Sequence, residues 1–158
     1  MKKINLLKLI ISLLICQAAG GIGSIFTIPS IGTWFASLQK PAFSPPNWIF
    51  GPVWTILFLL MGYALYLVWN KTKEQEGRKT LIFFSIQLVL NIGWSFCFFY
   101  LQNPLAGLLE IVILWIFILL TIINFYKISK TAAYLLIPYI IWVSFAIVLN
   151  YFLYILNL

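Results

Sequence analysis

The chain has 158 residues, 63% hydrophobic and only 8% charged, with a formal net charge of +7. No water-soluble domain of this length can bury so much apolar surface, so the composition excludes a soluble globular protein and makes lipid the solvent. There is no histidine, and the three acids are all glutamates.

A hydrocarbon core about 30 Å thick asks for roughly 20 apolar residues per helix. Segments at 5–27, 48–69, 80–101, 105–126 and 133–156 meet this, and predict an all-α integral membrane bundle of five helices, one transmembrane domain over residues 1–158. The first segment has a basic start and an apolar run followed by Ala18, Ala19 and Gly20, as a cleaved signal peptide would. The apolar character continues through Ile22, Ile25, Phe26 and Ile28, which favours a retained helix. Its Ala19-x-x-x-Gly23 and Gly20-x-x-x-Ser24 spacings allow close backbone approach, either to a neighbouring helix or to a second protomer.

Pro29 and Gly32 end that helix and open the longest connection, residues 28–47, the only stretch with room for a lid. It is too aromatic for a solvated connector, and one helical turn would put Trp34, Phe35 and Leu38 on one side. Ser44 before Pro45 resembles an N-cap with proline at the first helical position, so the second helix is expected to start there. Asn103-Pro104 makes a tight turn into the fourth helix. Glu110 is the only acid inside a span; near a helix N-terminus it either caps or snorkels, or it serves a ligand or proton. Pro138 is expected to kink the fifth helix.

The charges are placed asymmetrically. Lys2, Lys3, Lys8, Lys71, Lys73, Arg78, Lys79, Lys127 and Lys130 fall on one side of the predicted membrane, and only Lys40 on the other. The positive-inside rule puts the N-terminus in the cytoplasm and the C-terminus outside, as in a bacterial inner membrane. No clustered basic face supports nucleic-acid binding. Cys16 and Cys97 lie in separate spans and are expected to stay unpaired.

Trp54, Trp94, Trp115 and Trp142 sit within spans, away from the water boundary where membrane tryptophans collect. Helical spacing puts Gln87, Asn91, Trp94 and Phe98 on one face of the third helix. It puts Tyr139, Trp142, Ala146 and Asn150 on a face of the fifth, and Trp54, Phe58 and Met61 on one of the second. Amides and hydroxyls in hydrocarbon need partners, so these faces should point inward, as interhelical glue or as the wall of an aromatic pocket. Without histidine or aspartate there is no axial His for haem, no credible zinc ligand set and no Ser-His-Asp constellation. Any chemistry would have to use indole rings, a light-absorbing ligand or oxygen.

Four blocks in order resemble the tryptophan-rich sensory proteins, a family that includes the mitochondrial translocator protein (peripheral-type benzodiazepine receptor). They are the loop Trp34–Pro46, the Phe50-Gly51-Pro52-Val53-Trp54 run, Leu90-Asn91-Ile92-Gly93-Trp94-Ser95 with Phe98-Phe99, and Pro138-Tyr139-Ile140-Ile141-Trp142 with Phe145-Ala146 and Leu149-Asn150. The resemblance implies five transmembrane helices, a homodimer, and one pocket beneath the first loop. It also implies ligands such as porphyrins and isoquinoline- or benzodiazepine-type compounds, with no covalent cofactor. Carried over by motif, the pocket would use Trp54, Asn91, Trp94, Trp142 and Ala146, with Trp34, Phe35 and Pro45 closing it. The resemblance further implies light-driven porphyrin degradation through Trp54 and Trp142 in some bacterial members. Two departures stand out. Phe35 replaces a frequent tyrosine, and no Lys or Arg follows Leu149 and Tyr151 to complete a sterol motif. The expected function is a porphyrin-binding sensor or regulator; the alternatives are a light-dependent porphyrin-degrading enzyme and a porphyrin transporter.

Overall fold

The computed structural model describes residues 5–72 and 74–158, with the side chains of residues 74–76 outside the description. Lys2, Lys3 and Lys73 of the charge count therefore lie outside the described residues. All secondary structure among the described residues is helical, and five helices are long and apolar enough to cross a membrane.

Helix α1 runs Leu6–Ile31, started by Asn5, whose Oδ1 accepts from the Lys8 N–H at 3.1 Å. It continues through Pro29, whose carbonyl is taken up by the Thr33 hydroxyl at 2.9 Å. The single turn α2, Trp34–Ser37, buries Phe35 and leaves Trp34 and Leu38 half-buried beside it. Helix α3 is Asn47–Trp69, beginning after Pro46 and not at Ser44. A residue preceding proline is pushed out of helical geometry, and Ser44 and Pro45 both precede one. The Ser44 hydroxyl accordingly caps nothing and has no hydrogen-bond partner.

Helix α4, Glu74–Ser95, passes directly into a π-helical turn, Phe96–Tyr100, closed by the Leu101 N–H on the Phe96 carbonyl at 3.0 Å. Helix α4 starts several residues before the apolar span because hydropathy marks the membrane and not the helix end. Asn103 caps α5, Pro104–Ile128, through its side chain on the Ala106 N–H at 3.0 Å. Pro138 divides the last span into α6, Lys130–Leu135, and α7, Ile137–Leu156. Proline has no N–H to continue the ladder, so the chain breaks at Leu136.

The core follows from which helices can approach. Helix α1 packs against α3 and α4, α5 against α4 and α7, and α6 against α3. At Gly62 the approach of α3 to α1 is so close that a methyl group would lie 2.9 Å from the Leu13 Cα. The small residues of α1 are used inside the chain: Ala19 is buried, Gly20 faces Phe58, and Gly23 faces Ser95. Helix α3 has little backbone contact with α4. Large aromatic side chains fill that separation only in part.

Candidate functional site

A cavity of about 540 Å³ lies among α1, α2, α3, α4 with its π turn, and α7. Its aromatic wall comes from different helices. Trp54 of α3 lies with its ring centroid 6.3 Å from Trp94 of α4 and 6.2 Å from Tyr139 of α7. Trp94 stacks on Phe98 at 5.6 Å. Trp142 of α7 meets Phe50 of α3 edge-on at 5.9 Å. Phe35 closes part of the loop end and packs against Phe98 and Phe99.

The polar groups are organised around these rings. The Tyr139 hydroxyl donates to Gln87 Oε1 at 2.9 Å and accepts from Asn91 Nδ2 at 2.8 Å, joining α4 to α7 within the core. Asn150 Oδ1 accepts the Trp94 indole N–H at 3.2 Å, and its Nδ2 donates to the Pro104 carbonyl at 2.8 Å. One side chain thus ties α4 and α7 to the start of α5. Trp115 finds its acceptor on Ser144 at 2.8 Å, between α5 and α7 and off the cavity wall. Trp142 is the exception: it lines the cavity, and its buried Nε1–H has no acceptor. An unmet buried donor of this kind costs about 1–3 kcal/mol.

Of the residues expected from sequence, Phe35, Trp54, Asn91, Trp94, Trp142 and Ala146 line this cavity. Trp34 and Pro45 do not. Trp34 stands behind the wall, edge-on to Phe98 at 5.4 Å, because the single turn of α2 directs Phe35 inward instead. Pro45 is spent on the extended approach to α3 and is only half-buried. Glu110 does not cap α5, a role Asn103 takes; its two carboxyl oxygens are buried without hydrogen-bond partners, and Oε1 would lie 3.2 Å from a methyl group at Gly93.

Helix α1 also contributes to the wall, which was not foreseen from the sequence. Gln17, Gly20, Ser24, Thr27 and Ile31 line the cavity at spacings of three and four, one continuous stripe that is small or polar up to Ile31. That stripe is readable as an inward face, but the Gly20-x-x-x-Ser24 spacing signals close backbone packing just as well. The π turn was not readable. Its extra residue lets the consecutive Phe98 and Phe99 both turn inward, and both line the cavity. Several lining residues are also exposed on the outer surface, among them Gly21, Ile28, Gly51, Thr55 and Trp48, which is 74% exposed. The cavity therefore opens sideways between α1 and α3, at the level where lipid would be. Below the opening, Gln17 Nε2 bridges to the Thr55 carbonyl at 3.1 Å.

Proteins similar in sequence match most of this chain. A tryptophan-rich protein TspO of Archaeoglobus fulgidus is 49% identical over 153 residues, covering 97% of this chain and 99% of the relative. A protein of the same name from Chlorobaculum tepidum is 47% identical over 157 residues, covering 97% and 98%. The human translocator protein is 36% identical over 132 residues, covering 82% of this chain and 78% of its own. Residues 12–156, which include every cavity-lining side chain named above, match the TspO/MBR family, and this integral membrane chain belongs to it.

Proposed function

We propose that the chain is a membrane tetrapyrrole-binding sensor or regulator that takes a porphyrin into the cavity beneath the first loop. The observation that carries this reading is the convergence of three indoles, Trp54, Trp94 and Trp142, from three helices on one apolar space. Its volume falls within the range of about 300–1,000 Å³ usual for small-molecule sites. Flat aromatic ligands gain from stacking and edge contacts with such rings beyond the area they bury. The Trp142 ring adds aromatic contact to the wall although its N–H is itself buried, while Asn91 and Asn150 are already engaged and hold the wall in place.

A second reading, light- and oxygen-dependent porphyrin degradation, is supported by Trp54 and Trp142 both lining the cavity, where an excited ligand would lie against indole. The chain is proposed to act as a homodimer in a bacterial cytoplasmic membrane, N-terminus inside and C-terminus outside.

Titration of the purified protein with protoporphyrin, in the dark and under illumination, tests both readings. Trp142→Phe is expected to bind roughly tenfold more weakly, from lost ring contact. Unchanged fluorescence quenching would overturn the binding role of this residue. A stoichiometric spectral shift supports the sensor; a distinct product formed over many turnovers and lost in a Trp54/Trp142 double variant supports the enzyme.

A further inference from the structure

We propose that Lys40 recognises the acidic edge of the ligand, so that the site selects flat aromatic molecules bearing a carboxylate over their uncharged esters. This rests on the porphyrin-binding reading above and names which edge of such a ligand faces the loop.

Lys40 is the only charged residue between Lys8 and Lys71. Its ammonium lies 4.7 Å from the centroid of the Phe35 ring. Phe35 is buried and forms part of the cavity wall at the loop end; Lys40 does not itself line the cavity but stands over this wall ring, one side chain away from it. The backbone just before it is fixed. The Gln39 N–H donates to Asn157 Oδ1 at 2.9 Å, and Asn157 Nδ2 donates back to the Gln39 carbonyl at 2.9 Å. Phe43, just beyond, packs edge-on against Phe152 at 5.3 Å. The flexible part of this region is therefore the lysine side chain itself.

Among the described side chains no carboxylate pairs with Lys40; the one described acid, Glu110, has neither oxygen hydrogen-bonded. A cation resting on a phenyl face is held less firmly than one bonded to a carboxylate. The rest of the wall carries no charge: it is indole, phenyl and aliphatic with neutral amides and hydroxyls, and Asn91, Asn150, Ser24 and Thr27 are already hydrogen-bonded to protein. An ionised carboxylate buried against such a wall would be strongly disfavoured without an opposite charge. Lys40 can provide that charge by leaving the Phe35 face, a movement of a four-carbon stem with no change of fold.

The experiment compares a dicarboxylate porphyrin with its dimethyl ester by tryptophan quenching in nanodiscs of zwitterionic lipid, for the wild type and Lys40→Gln. The expected result is a five- to tenfold loss of affinity for the diacid in Lys40→Gln and no change for the ester, roughly the effect of removing one charge-assisted contact. In the wild type, rising salt should weaken the diacid and leave the ester unchanged, a measurement that needs no variant. Equal losses for both ligands would mean that Lys40 only props the loop, and no loss for either would mean that it touches no ligand. Each of these overturns the proposal while porphyrin binding stands. Failure of the wild type to bind either compound would overturn the porphyrin reading instead.

Discussion

Asn150 shows how single residues carry this bundle. Its amide accepts from Trp94 and donates to the Pro104 carbonyl, so contacts to two other helices depend on it. Asn150→Leu keeps the bulk but leaves the Trp94 N–H without its acceptor, and should lower stability by about 1–3 kcal/mol, read as a lower melting temperature in detergent. An unchanged melting temperature would mean that the Trp94 N–H finds a new partner. The inward direction of Asn91, Trp94, Tyr139 and Asn150 was legible from helical spacing alone, because an amide in hydrocarbon has nowhere else to go. Which residues of the loop face the cavity was not legible. Trp34 and Phe35 are adjacent aromatics on one short turn, and nothing in four residues sets its rotation. Their roles are decided by Phe98 and Phe99, more than sixty positions away in the chain.

At the level of helices, the approach of α1 to α3 separates two kinds of glycine. A methyl group at Gly62 would come within 2.9 Å of the Leu13 Cα, whereas one at Gly21 would meet nothing within 4 Å. Gly62→Ala should therefore push the helices apart and destabilise by about 1–3 kcal/mol. Gly21→Ala should be neutral or slightly stabilising, since alanine suits a helix better by about 0.5–1 kcal/mol. Thermal melts of the two variants side by side check this; equal behaviour would contradict the packing described. The five spans were legible because twenty-residue apolar runs have a single physical solution in lipid. The start of α3 was misplaced because Ser44-Pro45 looks like a cap until the second proline, Pro46, is given its weight. The π turn had no sequence signal at all; in the structure it is marked by the Leu101 N–H on the Phe96 carbonyl, and its Phe99 carbonyl accepts from the Ser30 hydroxyl at 2.9 Å.

For the molecule as a whole, two contacts show how the ends are arranged. Lys8 Nζ donates to the Trp69 carbonyl at 3.3 Å, and Lys71 Nζ donates to Ser129 Oγ at 3.1 Å, gathering the start of α1, the end of α3 and the end of α5 at one end of the bundle. With the proposed orientation, Ala42→Cys in a background lacking Cys16 and Cys97 should react with an impermeant maleimide on intact cells. Lys130→Cys should react only after lysis. The reverse pattern would invert the topology.

The gap between α1 and α3 has a consequence for measurement. A guest that arrives through the acyl chains responds to its mole fraction in the surrounding lipid and not to its molarity in buffer. Two preparations with identical protein and identical total ligand, but different amounts of bilayer, would then give different half-saturation points. Occupancy would follow the ligand-to-lipid ratio, so dilution into extra vesicles would act as a competitor even though the vesicles never touch the binding surface.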